Sequence, residues 1–437
     1  METLRFDLTK KAGKFKLLNC TNGGPWHKRG KQLEDRGSNM ANYIKARIPY
    51  SRNHDSGACG VYGGPYSHDV CKIFPRFEAD PYDPVSYDFA CTDEDILICL
   101  EAGTKTYFRL GETIEHQVKK HATLPPADFH KWAVICEHII RHYTEGWAGG
   151  FTHDMPYWEI WNEADMHDDD APNKTCWGGT KAQFFNFYEI VAKHLKTCFP
   201  HLKIGGPALG YREDWADDFL REMKARNVPI DFFSWHNYRN DPMLIMAKAE
   251  RLQKIMEDNG YGNTENHLTE WNYVINWTDK VVDSFKDIHG IRGAAFTLST
   301  ICAAQNSPID MLMYYDTRPS RFNGIFDFYS HLPLKGYYAL SWYGKLYDME
   351  AEIKAQNSIE HIYSLCGVDK NGKATTILTY YPIDDSLGNK AVKVDLGRQG
   401  RYEVFLLDEN HTNESMGVTE DLTFDLAPNT CVLIQEV

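Results

Sequence analysis

Alternation of short apolar runs with amphipathic stretches is the feature that most limits how this chain can fold. Eight runs rich in β-branched and aromatic residues recur before residue 347 of the 437, and most precede a stretch with helical periodicity. Strands that alternate with helices form a parallel sheet, and eight such units close into a barrel. The predicted barrel strands are 15–19, 46–50, 105–110, 158–163, 203–207, 231–235, the run that carries Glu270, and 311–315.

The pattern changes near residue 348 to short alternating runs separated by turn signals such as Asn371-Gly372, which is typical of an antiparallel sheet. Residues 3–8 alternate in the same way before the barrel begins. We therefore predict an α/β fold, a (β/α)8 TIM barrel with a small C-terminal antiparallel β-sandwich domain. Its parts are an N-terminal strand at 1–12 that pairs with the C-terminal sheet, the barrel at 13–347, and the accessory sandwich at 348–437.

Charge and composition exclude several classes of function. The net charge is −14 and no block of Lys or Arg occurs, so we expect no nucleic-acid partner. The first residues lack a basic segment followed by an apolar core, and no run of about 18 apolar residues suggests a membrane span. Eleven cysteines are scattered without CxxC pairs, which favours a reducing compartment. We expect a cytoplasmic protein, although a chain trimmed of its signal would look the same, and the sequence leaves a homo-oligomer open.

Two of the predicted strands end in a carboxylate. Asn162 and Glu163 end the fourth strand, and Glu270 followed by Trp271 ends the seventh. Because the C-terminal ends of barrel strands share one face, the two glutamates are expected to lie near each other. Two close carboxylates, one protonated and one ionised, suit acid catalysis combined with nucleophilic attack. The alternative for Glu163 is a strand end that faces solvent.

These motifs resemble those of a known family. Trp161-Asn162-Glu163 and Thr269-Glu270-Trp271-Asn272 are similar to the acid/base and nucleophile motifs of the clan A retaining glycosidases, most closely glycoside hydrolase family 39. That family contains β-xylosidases and α-L-iduronidases, and the stretch 87–111 extends the resemblance. The resemblance implies a retaining glycoside hydrolase that cleaves terminal β-xyloside-like sugars through a glycosyl-enzyme intermediate. The implied enzyme acts on a carbohydrate substrate without a cofactor or a metal. Glu163 would be its acid/base and Glu270 its nucleophile.

The resemblance also implies residues that bind the sugar. Asn162 would bond to the sugar 2-hydroxyl, an interaction that strengthens in the transition state. In the family a His and a Tyr at the end of the sixth strand contact the sugar and the nucleophile, and His236 and Tyr238 match them. Tyr238 is expected to orient Glu270.

Two further positions match the family less closely. Arg52 and His54 follow the second strand, where family members place an Arg and a His against the sugar, but a loop stabilised by an Asp–His pair is an alternative. Tyr315 follows the eighth strand, where the family commonly has a Trp that floors the sugar pocket. Arg318 could bind a carboxylate, although pairing with Asp316 is the favoured interpretation. The departure at Tyr315 leaves the sugar open.

Three alternatives remain from the sequence. The same chemistry could act on a galactoside, an arabinopyranoside or a uronide. A barrel that binds sugar without cleaving it is possible in principle, but both glutamates and their motif neighbours are present. A metal-dependent hydrolase would need a cluster of ligands at strand ends, and His54, Asp55 and His236 are too few to favour it.

Overall fold

A closed parallel barrel and a second, mostly antiparallel sheet make up the computed structural model, which describes residues 1–32, 37–53, 66–318, 320 and 322–437. The first strand, β1 (Glu2–Gly13), belongs to the second sheet. Neighbouring barrel strands pair in parallel, and the last pairs with the first, which closes the barrel. The barrel strands are β2 (Leu17–Asn22), β3 (Tyr50–Arg52), β4 (Lys105–Leu110), β5 (Tyr157–Ile160), β6 (Lys203–Leu209), β7 (Phe232–Tyr238), β8 (Glu265–Asn272) and β9 (Met311–Tyr314).

Helices alternate with these strands, so the predicted class, a TIM barrel followed by an antiparallel sandwich, is confirmed. Several helices begin at a side chain that accepts from free backbone N–H groups, as Thr180 does with Gln183 in a capping box. The helices are α1 (Met40–Ala46), α2 (Val70–Ile73), α3 (Ala90–Glu101), α4 (Phe129–Glu145), α5 (Lys181–Cys198), α6 (Glu213–Ala225), α7 (Pro242–Asp258), α8 (Val281–His289), α9 (Ile291–Ala304) and α10 (Lys335–Tyr347). No helix in the described ranges is both long and apolar enough to cross a bilayer.

The N-terminal end of the barrel interior is filled by apolar side chains. Tyr107 and Tyr157 stack on each other, and Phe232 stacks on His267, all of them buried. The same cluster contains Cys20, Met311 and Met313. Because this end is packed with bulky side chains, polar groups inside the barrel are gathered at the C-terminal ends of the strands.

The second sheet contains β1 and every strand after the barrel. The strands after the barrel are β10 (Ala351–Ala355), β11 (Ile362–Val368), β12 (Ala374–Tyr380), β13 (Lys390–Asp395), β14 (Tyr402–Leu407), β15 (Thr412–Thr419), β16 (Thr423–Leu426) and β17 (Cys431–Glu436). The strand order in the sheet is β15-β14-β17-β12-β11-β10-β1-β13-β16, and β1 pairs antiparallel with β10 and parallel with β13. The sheet encloses a core of its own that includes Leu4, Phe6, Leu378 and Val392.

One face of this sheet packs on the barrel. Side chains alternate across β12, so that Leu378 enters the sandwich core whereas Ile377 joins the core of the barrel. Polar contacts cross the same boundary: Arg292 of α9 donates to Asp385 at 2.9 Å, and the Trp342 indole of α10 donates to Asn413 at 2.8 Å. The accessory domain therefore covers apolar surface of α9 and α10.

The alternation along β12 predicts a stability effect. Ile377→Ala should lower the free energy of unfolding by about 2–5 kcal/mol, because it leaves a cavity at a fully buried contact between the two domains. Val418→Ala on β15, where the valine is 45% exposed, should change it by less than about 0.5 kcal/mol. Urea denaturation followed by tryptophan fluorescence measures both. Equal effects of the two substitutions would contradict this packing of β12.

Candidate active site

A sharp turn after β5 directs the side chains of Asn162 and Glu163 into the mouth of the barrel. The strand ends at Ile160, earlier than predicted, and both Trp161 (φ 72°) and Glu163 (φ 49°) adopt the left-handed region. Such a conformation costs about 1–3 kcal/mol in a residue other than glycine, so it needs support from its surroundings. The buried Trp161 indole donates to the Cys176 carbonyl at 2.9 Å, and the Glu163 N–H donates to the Ala208 carbonyl at 2.8 Å. These bonds hold Glu163 over the mouth.

The strands β7 and β8 bring the other site residues to the same place. His236 lies directly beside Glu270 in the parallel pairing, and Tyr238 lies beside Asn272. Since residues two apart on a strand point to the same face, His236 and Tyr238 project together. The Tyr238 hydroxyl donates to Glu270 Oε2 at 2.6 Å.

Glu163, His236 and Glu270 form a compact cluster. A carboxylate oxygen of each glutamate and a ring nitrogen of the histidine all lie within 4.8 Å of one another. His236 Nδ1 is 2.8 Å from Glu163 Oε1 and 3.6 Å from Glu270 Oε2. The imidazole therefore lies between the two carboxylates that the sequence predicts to be close together.

A buried guanidinium organises the other side of Glu270. Arg52, at the end of β3, is fully buried and donates to Glu270 Oε1 at 2.7 Å and to Asn162 Oδ1 at 2.7 Å. It also donates to Glu159 Oε2 at 2.6 Å and to Asn22 Oδ1 at 3.1 Å. Four of its five N–H groups are thus used within the protein, so the structure places Arg52 as a support for Glu270 and Asn162.

The bond from Arg52 also fixes how Asn162 presents its amide. Because Oδ1 accepts from the guanidinium, the amide nitrogen points away from Arg52. In the part of the chain that the structure describes, no protein acceptor contacts that nitrogen. Asn162 can therefore donate to a ligand hydroxyl at the site.

Burial and neighbouring charges shift the titration of these groups. Burial raises the pKa of Glu270 above its ordinary value, and the charge of Glu163 adds to the rise, while His236, Arg52 and the bond from Tyr238 oppose it. Burial would lower the pKa of Arg52, but the charges of Glu159 and Glu270 outweigh it and raise the pKa, so the guanidinium stays charged. Burial lowers the pKa of His236 to about 4, so the ring is neutral near pH 7.

A neutral His236 suits an acid/base partner. The Nδ1 atom can donate to an ionised Glu163 or, in the other tautomer, accept a hydrogen bond from a protonated Glu163. The short contact at 2.8 Å therefore serves both protonation states of that carboxyl group. The Cys176 thiol, whose pKa is raised mainly by burial, lies 3.9 Å from Glu163 Oε2 and donates to it as a neutral group.

The segment after β9 forms one wall of the site. The Tyr315 ring lies 6.2 Å from the Tyr238 ring and 5.8 Å from the Phe322 ring. Arg318 donates to Asp316 at 2.8 Å and to the Tyr315 hydroxyl at 3.1 Å, in line with the favoured pairing. The remaining predicted ligand, His54, lies outside the described residues, as does Asp55.

Two of the residues that contact Arg52, Asn22 and Glu159, have no counterpart in the sequence-based prediction. Asn22, at the end of β2, accepts from Arg52 and donates to the Thr269 carbonyl at 2.8 Å. Glu159 is fully buried within β5 and pairs with Arg52. A charged residue inside an apolar strand requires a buried partner of opposite charge. The position of Glu159 in the sequence therefore indicates a buried cation near this strand.

Three clusters within the described ranges bring together side chains of the types that bind metals. In each of them an arginine already compensates a carboxylate: Arg52 bonds to Glu270, and Arg109 and Arg141 bond to the corresponding carboxylates of the other two. A divalent cation would be repelled by that guanidinium at close range. The clusters are Glu163 with His236 and Glu270, Asp69 with Cys71 and Glu112, and Glu137 with His194 and Cys198.

A closed parallel barrel that carries two close carboxylates at its strand ends defines a glycoside hydrolase type of site. Within that class, the chain belongs to glycosyl hydrolase family 39. The sequence profile described as "Glycosyl hydrolases family 39" matches residues 68–317, which is more than half of the chain.

Individual relatives agree with that assignment. A β-xylosidase of Caldicellulosiruptor saccharolyticus is 27% identical over 282 residues, which cover 59% of this chain and 53% of the relative. A β-xylosidase of Geobacillus stearothermophilus is 26% identical over 170 residues, covering 34% of this chain and 32% of the relative. The matched stretches thus span about half or less of these proteins. A solved glucosidase structure from Croceicoccus marinus superposes with a TM-score of 0.82 at 22% identity, covering 100% and 99% of the two chains, which shows the shared fold.

The bond from Tyr238 predicts a shift in the titration of Glu270. Its hydroxyl donates to the charged form of the carboxyl group, so Tyr238→Phe should raise the pKa of Glu270 further. Carbon-13 NMR of labelled glutamate carboxyl groups measures it. Tyr273→Phe is the matched control, because that buried hydroxyl donates to Asp287 instead. A titration of Glu270 that Tyr238→Phe leaves unchanged would contradict the assigned bond.

Proposed function

We propose that this protein is a retaining glycoside hydrolase that removes terminal β-xyloside-like sugars from oligosaccharides or glycosides. The observation that carries the proposal is the cluster of Glu163, His236 and Glu270, with carboxylate oxygens within 4.8 Å. Retaining enzymes hold their two carboxyl groups about 5–5.5 Å apart, whereas inverting enzymes leave about 6.5–9.5 Å for a water molecule. The short separation favours direct attack by one carboxylate on the sugar.

The neighbours of each carboxylate support a division of roles. Glu270 receives hydrogen bonds from Arg52 and Tyr238, which stabilise and orient an ionised nucleophile. Glu163 contacts His236 and the Cys176 thiol, both neutral, so it can carry the proton that the leaving group needs. In the first step Glu163 protonates the glycosidic oxygen, the bond from that oxygen to the anomeric carbon breaks, and Glu270 forms an ester bond to the same carbon as the leaving group departs as an alcohol. In the second step Glu163 takes a proton from water, the water oxygen bonds to the anomeric carbon, and the ester bond breaks, which releases the sugar and restores the Glu270 carboxylate.

Asn162 contributes to the same transition state. Its amide nitrogen is oriented by the bond from Arg52 to Oδ1, and it would donate to the sugar 2-hydroxyl. Hydrogen bonds at that position strengthen as the anomeric carbon becomes cationic, so the contact lowers the barrier more than it tightens binding. Tyr315 forms the wall beside Tyr238 and would contact the face of the sugar.

The choice of sugar rests on the named relatives. Two matched relatives are β-xylosidases, which favours a xyloside. Because the matches span about half or less of those proteins, and because Tyr315 replaces the usual Trp, a galactoside, an arabinopyranoside or a uronide are the alternatives. A sugar-binding barrel without catalysis is disfavoured, since a non-catalytic site has no need for a buried arginine and a tyrosine that both stabilise Glu270.

A panel of 4-nitrophenyl glycosides tests the proposal. We expect hydrolysis of the β-xyloside to exceed that of the β-galactoside, the α-L-arabinopyranoside and the β-glucuronide. Proton NMR during the first minutes should show a product that keeps the anomeric configuration of the substrate, because two displacements at one carbon restore it. A product of inverted configuration would refute the double displacement, and no hydrolysis of any member would favour the non-catalytic alternative.

Azide distinguishes the roles of the two glutamates. Glu270→Ala should lower the rate by about four orders of magnitude or more, and added azide should give a glycosyl azide of inverted configuration. Glu163→Ala should instead form its intermediate with activated aryl glycosides, and azide should give a product of retained configuration. Each variant serves as the control for the other. The same azide product from both, or full activity of either without azide, would contradict the assignment.

A further inference from the structure

A cavity lies beside the cluster of Glu163, His236 and Glu270. It has a volume of about 450 Å³ and lies between the loop after β6, the end of β7, helix α7 and the chain after β8. Gly210 lines it on the side of Glu163, since a Cβ at that glycine would lie 3.4 Å from Glu163 Oε1. Tyr238 lines it on the side of Glu270. Because an acid must lie next to the oxygen that it protonates, a leaving group bound on the side of Glu163 would extend toward this cavity.

The cavity is positively charged in a chain of net charge −14. Arg239, Lys248 and Arg251 line it, and Glu213 is the one carboxylate among its lining residues. Glu213 is already paired, because it accepts from Arg251 at 2.7 and 2.8 Å. Two cations, Arg239 and Lys248, are therefore left without a counter-ion in the lining.

Lys248 is held rigidly at the floor of the cavity. Its ammonium group donates to the carbonyl of His236 at 3.1 Å and to that of Tyr211 at 3.5 Å, and the residue is buried. Its pKa is lowered to about 8, mainly by burial; the charges of Asp165 and Glu213 oppose the change and the charge of Arg239 adds to it. Lys248 is therefore still mostly protonated at neutral pH, close to a second cation.

Arg239 differs from Arg251 in the contacts of its side chain. Its side chain is exposed, and across the described residues it makes no ion pair or hydrogen bond to another protein group. Elsewhere in this site the guanidinium groups are bound, as Arg52 and Arg251 are. Two like charges near each other repel, and an anion between them would relieve that repulsion.

Aromatic side chains complete the cavity. Trp277 is 58% exposed, stacks on Phe322 with ring centroids 5.9 Å apart, and meets the edge of Tyr238. Tyr211 is 57% exposed and also lines the cavity. A fixed, exposed aromatic face packs against the C–H face of a sugar ring, whereas an arginine fork matches a carboxylate or a phosphate.

We infer that this cavity is a leaving-group subsite for an anionic sugar, with Arg239 as the residue that binds its carboxylate or phosphate group. The inference rests on the proposed function, because it is the position of Glu163 that makes the cavity a leaving-group site. A uronate carboxylate and a sugar phosphate present the same chemistry to Arg239. The subsite adds a specificity for what is attached to the terminal sugar, which the catalytic cluster alone does not define.

Direct binding tests the subsite without any need for turnover. D-glucuronate, D-glucose 6-phosphate and D-glucose are titrated by calorimetry into the wild-type protein, Arg239→Gln and Arg401→Gln at low ionic strength. The wild type should bind at least one of the two anions about tenfold or more tightly than glucose, and salt should weaken that preference. Whichever anion is preferred identifies the source of the charge.

The variants then assign the preference to one residue. Arg239→Gln should abolish it, and Arg401→Gln should keep it, because Arg401 is an exposed arginine of the sandwich and removes the same unit of charge away from the cavity. Equal binding of charged and neutral sugars by the wild type would overturn the inference. So would a preference that Arg239→Gln leaves intact.

Kinetics separates failure of the subsite from failure of the proposed function. The two substrates carry the same β-linked terminal sugar, one on glucose and the other on whichever anionic sugar binds more tightly in the titration, and the measurement is kcat/KM. The wild type should favour the acidic substrate by about tenfold, and Arg239→Gln should lose only that preference. Cleavage of both at equal rates keeps the hydrolase and overturns the subsite, whereas anion binding without any cleavage keeps the subsite as a binding site and removes the hydrolase.

Discussion

The buried guanidinium of Arg52 is the interaction on which the rest of the site depends. A charge removed from water must be paired and hydrogen-bonded, or it destabilises the fold by several kcal/mol. Its partners come from three other strands and the turn after one of them: Asn22, Glu159, Asn162 and Glu270. No two neighbouring segments of the chain could supply this set, so only closure of the barrel can satisfy the charge. The network therefore links formation of the barrel to the positions of Asn162 and Glu270.

Much of the architecture follows from local sequence patterns, but the pairing of Arg52 does not. The periodicity that alternates between strand and helix gives the barrel, and motif spacing brings Glu163 and Glu270 to one face. The sequence pattern predicts the second strand at 46–50, but the structure has a helix to Ala46 and a strand only at Tyr50–Arg52. Arg47 ends that helix in the left-handed conformation, so the apolar residues that follow form a connection. Arg52 thus belongs to the strand, where its side chain points into the barrel.

The start of helix α3 and strand β15 also give only weak signals in the local sequence. Helix α3 begins at Ala90, and the hydroxyl of Thr92, a residue type that often caps helices, instead donates to the Ser67 carbonyl. Strand β15 lacks an alternating apolar pattern, because most of its side chains are exposed. Its position is fixed by pairing with β14, a contact between distant segments that a local window cannot detect.

The proposed division of the two glutamates into an acid and a nucleophile rests on the asymmetry of their surroundings. Two carboxylates with oxygens within 4.8 Å repel by about 4 kcal/mol if both are ionised near a protein surface, so the pair favours retaining one proton. The position of that proton depends on the surrounding donors. Glu270 faces a permanent cation in Arg52 and a hydroxyl donor in Tyr238, both of which stabilise a carboxylate. Glu163 faces a neutral imidazole that can accept as well as donate, an arrangement that supports the acid role proposed for Glu163.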